Sequence, residues 1–210
     1  MEQPSPFDLA RLAALKEYAA LEYELCFLLQ GLLGVKHQVA AAIFYQISNT
    51  RSRYAIISRL IALAPESESE SESEPQWRAW NKVEHWLGPC DTARNHLVHW
   101  FEDHMIQIAV APGENEFKPV ARIPLLRNAT RRGGYAAGEK RYLLADVQQE
   151  RDNFRVMLHI VNRFRLTVQE PEKWPWTDIF QQPAACRTPV EFLQRLNERG
   201  HKARLPPYDQ

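Results

Sequence analysis

The sequence predicts an all-α protein: an antiparallel bundle of four to five helices with a small β-hairpin or loop insertion and a C-terminal extension. Three observations point there. Glycine is scarce, at 8 of 210 residues, while Leu, Ala, Glu, Gln and Arg are plentiful, and that composition favours helices. Long segments repeat apolar residues at three- and four-residue spacing. A chain of this length with 45% hydrophobic residues can bury one real core. The bundle is expected over residues 1–170 and the extension over 171–210.

The first helix begins at Ser5-Pro6, with proline at the first helical position, and runs to Gly31–Gly34. Its apolar stripe passes through Leu9, Leu12, Leu15, Leu21, Leu25, Leu28 and Leu32. A second helix after Gly34 carries Val39, Ile43, Ile47, Tyr54, Ile57 and Ile61, and Ala64-Pro65 ends it. The short break makes the two antiparallel neighbours. The tract "ESESESESE" has no apolar residue to bury and repels itself, so residues 65–75 are read as a disordered loop. A rarer use of such a tract is as an acidic mimic of a nucleic-acid backbone.

A short helix with Trp77, Trp80 and Leu87 inside follows and is interrupted at Gly88-Pro89. Asp91 then caps a new helix, with Arg94 in its first turn and His99 in its second. After Met105 the period changes, and "IQIAV", "APGENE" and "FKPVARIPL" read as a hairpin. "RNATRRGGYAAGEKR" is a basic, glycine-containing loop; hairpin and loop together form an insertion over 106–142. Asp146 and Gln149 form a capping signature for a long helix that turns Phe154, Met157, Leu158, Val161, Phe164 and Val168 to the core. Arg151, Arg155 and Arg163 fall on its other faces. Thr188-Pro189-Val190-Glu191 opens a last short helix near 189–199.

Charge and targeting signals narrow the classes. Formal net charge is zero, with 26 basic and 26 acidic residues. Five of the acids lie in the Glu-Ser tract, leaving 26 basic against 21 acidic, a net of +5, so a polyanionic partner is compatible with the chain. Three separated cysteines with no CxxC make no disulfide framework and suit a reducing compartment. The N-terminus has no signal-peptide pattern, and "LCFLLQGLLGV" is far short of a membrane span. A cytoplasmic protein with no membrane partner is expected. P-loop, GxGxxG and GxSxG motifs are absent, so no cofactor is implied.

One constellation carries chemistry. "DTARNHLVHWFEDH" holds Arg94-Asn95-x-x-x-His99. An Arg followed by His after four to six residues occurs three times here, at Arg78–His85, Arg94–His99 and Arg195–His201, but only Arg94 is followed by Asn. Asn95 and His99 are four apart and share a helix face, with Arg94 on the adjoining edge. Arginine's fork matches phosphate oxygens, and histidine moves a proton at neutral pH. Asparagine can orient either. Cleaving a phosphodiester through the 2′-hydroxyl also needs a second proton-transfer group. A two-fold dimer pairing this helix with its mate supplies it. Arg127, Arg131, Arg132, Lys140 and Arg141 are the candidate RNA contacts. The plainer readings are a satisfied polar cluster for the motif and a solvated loop for the basic set. His85, His96, His99 and His104 lack a metal-ligand spacing.

A helical bundle with Arg-Asn-x-x-x-His in a late helix resembles the HEPN superfamily, over roughly residues 7–168. The resemblance implies a metal-independent endoribonuclease, of the kind found as toxin or defence components with a protein antitoxin. Arg94 would stabilise the phosphate, His99 would be acid or base, and Asn95 would assist. Trp100 and Phe101 follow the histidine where the family often has a small residue. The alternative is a catalytically silent HEPN-type dimer that binds RNA or nucleotide, or scaffolds a partner.

Overall fold

The computed structural model describes residues 3–63, 73–109, 118–127, 141–170 and 188–198. The Glu-Ser tract up to Glu72, the loop carrying Arg131, Arg132 and Lys140, and the extension over 171–187 lie outside them, with the expectations placed on those segments. Among the described residues there are six helices: α1 (Pro6–Leu33), α2 (His37–Gln46), α3 (Thr50–Ala62), α4 (Ser73–His99), α5 (Leu144–Gln169) and α6 (Pro189–Glu198). The protein is mostly helical, in keeping with the all-α composition. Two strands, β1 (Phe101–Ala109) and β2 (Lys118–Arg127), pair antiparallel with Phe101 opposite Arg127.

The start of α1 follows its sequence signals. Ser5 Oγ accepts the Asp8 amide at 3.1 Å, and the Asp8 carboxylate accepts the Ser5 amide at 3.3 Å, a reciprocal cap that satisfies two orphan donors. Gly34, at φ 64°, closes the helix in the left-handed conformation that glycine adopts without cost. α2 then leaves at a bend of 118°.

α1 packs most extensively on α5, and their contacts advance in the same direction along both chains. Glu17 meets Arg155, Tyr18 meets Phe154, Glu24 meets Asn162, and Phe27 meets Gln169. The pair is therefore parallel, whereas an antiparallel bundle was expected. A parallel pair needs a long connection, and α2 to β2 provide one. α4 runs opposite to both: Arg11 meets Leu97 while Tyr18 meets Asp91, and the Trp80 ring lies tilted 5.5 Å from that of Phe164. Gly31 sits where a Cβ would lie 1.9 Å from the end of the exposed Gln169 side chain, so a larger residue there requires that side chain to move.

Four boundaries differ from the sequence expectation. The segment after Gly34 is two helices, because Asn49 caps a fresh start: its Oδ1 accepts the Arg51 amide at 2.9 Å. In α4 the helix continues through Gly88 and Pro89, so Asp91 is not a cap. An internal proline costs about 3 kcal/mol. Against it stands one unbroken buried stripe, Ala79, Trp80, Val83, Leu87, Cys90, Ala93 and Leu97. Each large member contributes about 1.5–3 kcal/mol by burial, enough to hold both sides of the proline on one axis. α4 ends at His99 rather than beyond 105, because Arg11 takes the carbonyls that another turn would need. α5 starts at Leu144, where the Asp146 carboxylate accepts the Leu143 amide at 2.8 Å, so Asp146 lies inside the first turn.

Burial follows the expected stripes in α5, with Phe154, Met157, Leu158, Val161 and Phe164 in the core. Arg163, expected on an outer face, is only 1% exposed, and desolvation lowers its pKa to about 10. At the α1 and α2 surfaces, Leu9, Leu12, Val39 and Ile43 are exposed, and so is Trp77 at the start of α4.

Candidate functional site

The continuity of α4 relocates the motif. Arg94, Asn95 and His99 lie in the last turns of a 27-residue helix, not at the N-terminus of a new one. The local backbone charge is therefore reversed, because the helix ends in carbonyls with partial negative charge. Arg11 of α1 covers that end. Its guanidinium donates to the carbonyls of Leu97 at 2.5 Å, Val98 at 3.1 Å and Trp100 at 3.3 Å. The end of α4 therefore disfavours a phosphate.

All three motif side chains reach solvent. Asn95 and His99 are exposed and Arg94 is half-buried. Arg94 Nη1 donates to Asn95 Oδ1 at 3.0 Å, and the guanidinium carbon lies 5.8 Å from the centre of the Tyr18 ring. The aromatic residue after His99 is half-buried and engaged. Trp100 stacks on His96 at 4.0 Å, and His96 Nδ1 lies 3.1 Å from Tyr142 Oη. Trp100 and His96 thus belong to packing around the end of α4.

Arg94 and Asn95 form one end of a polar groove of about 910 Å³ between α3 and α4. The α3 wall supplies Asn49, Thr50 and Arg51, and the α4 wall supplies Glu84, His85 and Thr92 among others. Gly88 also faces the groove and leaves it open. On α4 the positions His85, Gly88, Thr92, Asn95 and His99 recur at three and four residues, so His99 continues the groove stripe by one turn. From His85 to His99 the stripe spans about 21 Å at 1.5 Å per residue.

At the centre of the groove lies Asp91, half-buried. Two tyrosine hydroxyls from different helices donate to the same oxygen, Oδ1: Tyr18 of α1 at 2.6 Å and Tyr54 of α3 at 2.8 Å. Burial pushes the Asp91 carboxyl above its ordinary value, while the two hydroxyls and Arg94 pull it back. The same burial, reinforced by Asp91, raises both tyrosines and keeps them protonated donors. Glu84 is likewise engaged, accepting from Ser58 Oγ at 2.8 Å.

Of the other expected site residues, Arg127 is the last residue of β2, opposite Phe101, and Arg141 is half-buried just before α5. Arg131, Arg132 and Lys140 lie outside the described residues. Sequence reasoning missed Asp91, Tyr18 and Tyr54 as one cluster, and placed no role on Arg51 or Arg53. Arg53 instead pairs with Glu22 at 2.5 Å, under the Phe44 ring. The available signal was the polar run Ser48-Asn49-Thr50 inside an apolar pattern, which marks a helix start opposite the motif. Among the described residues, no three His, Cys, Asp or Glu side chains converge as a metal site would require. No family model, no curated protein and no solved structure matches the chain.

Proposed function

We propose that this chain is a HEPN-like, metal-independent endoribonuclease acting as a homodimer. The observation that supports it is the accessibility of the motif. Asn95 and His99 are exposed, and the Arg94 guanidinium has no carboxylate partner among the described residues. A residue group kept only for packing would have its charges buried and paired. In this reading, His99 of one copy takes the proton from a ribose 2′-hydroxyl as O2′ bonds to phosphorus. His99 of the second copy protonates the departing 5′-oxygen as the P–O5′ bond breaks. Arg94 holds the non-bridging oxygens and Asn95 orients Arg94. The products are a 2′,3′-cyclic phosphate and a 5′-hydroxyl.

The test is cleavage of total RNA in the presence of a chelator. His99→Ala should lose about 10²–10⁴-fold, the usual worth of general acid–base catalysis. Arg94→Ala should lose about 10²–10³-fold, the usual worth of one charge-stabilising donor. Equal activity in all three folded proteins overturns the reading. A catalytically silent RNA-binding dimer is the second reading. It is favoured by the position of the motif at the carbonyl end of α4, where the helix itself opposes an anion.

A further inference from the structure

We propose that the groove between α3 and α4 is the track on which single-stranded RNA lies, leading to Arg94 and His99. The inference deepens the ribonuclease reading and rests on it for the choice of ligand. Its core observation is that two arginines without a carboxylate partner line one groove. Arg53, Arg155, Arg165 and Arg195 each pair with a glutamate, on Glu22, Glu17, Glu24 and Glu191 respectively. Arg51 and Arg94 pair with no carboxylate among the described residues, and both line this groove.

Two acids also line the groove, and both are engaged by neutral donors. Glu84 is held by Ser58, and Asp91 is held by two tyrosines in a place where burial disfavours its charge. Two phosphate-binding forks therefore stand on opposite walls of a polar channel, Arg51 on α3 and Arg94 on α4. Between them, the amides of Asn49, Asn81 and Asn95 offer donors and acceptors to base edges. A duplex is far wider than the gap between two packed helices, whose axes lie about 8–10 Å apart. Single strands also present the unstacked bases that such amides read.

Gly88 makes the groove testable. It faces the channel, and a Cβ built there meets nothing within 4 Å, so a larger side chain enters the groove rather than the core. Leucine is a better helix former than glycine. It also precedes Pro89, where a Cβ is crowded by the proline ring. Thr92→Glu, one turn further along the same stripe, avoids that difficulty and places a negative charge in the channel.

The probe is a single-stranded 2′-O-methyl oligonucleotide, which lacks the attacking hydroxyl, followed by fluorescence anisotropy in chelator. Gly88→Leu and Thr92→Glu should each weaken binding at least tenfold with unfolding midpoints near wild type. Arg51→Ala should reduce the slope of log affinity against log salt by about 0.7, the single-strand value for one phosphate contact. Wild-type affinity in both folded groove variants overturns the inference, and so does failure of the wild type to bind the oligonucleotide. Binding that depends on the groove without any cleavage sinks the ribonuclease reading alone. Cleavage that needs Arg94 and His99 but ignores both groove variants sinks the track alone.

Discussion

Replacing Tyr54 by phenylalanine removes one hydroxyl from a buried ring and leaves its packing intact. Tyr54 is 3% exposed, and its Oη donates to Asp91 Oδ1 at 2.8 Å. A hydrogen bond to a charged group contributes about 1.5–3 kcal/mol, and one between neutral groups about 0.5–1.5 kcal/mol. With Asp91 ionised, Tyr54→Phe should cost the larger amount. The folded-state pKa of Asp91 is raised above 3.8, chiefly by burial. As pH falls through that raised value, the folded protein takes up the proton before the unfolded chain does. Stability from Asp91 therefore rises on acidification and is fully present below the unfolded value. In that window the bond becomes neutral, and the cost of Tyr54→Phe should shrink to about 0.5–1.5 kcal/mol. Asp91→Asn keeps an acceptor oxygen without the charge, so in that background the cost should be small at every pH. Urea unfolding of the four proteins at neutral pH and near pH 4 measures this, with other carboxylates cancelling in the differences. A Tyr54→Phe cost that is the same in both backgrounds and at both pH values would refute the charged-acceptor argument.

Two further outcomes follow from buried ionisable groups. Glu24, 2% exposed, accepts from Asn162 at 2.9 Å and from Arg165, so Glu24→Ala leaves a half-buried guanidinium unpaired. It should cost about 3–5 kcal/mol in urea unfolding, and a cost under about 1 kcal/mol would mean the pair is solvated. His159 is held below its ordinary 6.5 by burial first and by Arg155 second. Because the unfolded chain protonates more readily, stability should fall as pH drops from 6.5 to the folded value, and no further below it. His159→Gln should flatten that part of the stability profile, which a pH series of melting curves reads directly.

The helices were legible where burial and periodicity agree. Phe154, Met157, Leu158, Val161 and Phe164 are buried because a stripe at helical spacing has one low-energy way to leave water. Thr188 caps α6 as the sequence suggests, its Oγ1 accepting the Glu191 amide at 3.1 Å. Punctuation residues were less reliable than the stripe. Gly88-Pro89 looks like a stop, yet the apolar face continues in phase from Val83 through Leu97, and the summed burial outweighs one lost hydrogen bond. Conversely, Asn49 lies in the short polar run Ser48-Asn49-Thr50, easily overridden by the apolar pattern around it, and it starts a helix. Local preference decides such positions only when tertiary burial is indifferent between the alternatives.

That single misreading at Pro89 carries through to the chemistry. With a helix start at Asp91, the backbone would bind the phosphate and Asp91 would be spent on capping. With one continuous α4, the backbone at the motif repels an anion, and Arg11 must neutralise it from outside. Asp91 is freed from capping and ties α1 and α3 to α4 through Tyr18 and Tyr54. These contacts, 73 and 37 residues apart in sequence, leave no local signature, since neither tyrosine differs by spacing from any other apolar position. Yet they set the wall on which Arg94 stands and the width of the groove beside it. In the proposed reading, phosphate recognition therefore comes from Arg94 and Arg51 rather than from the end of α4. Its strength should then vanish with those two side chains, while the fold, held by the tyrosines and Asp91, remains.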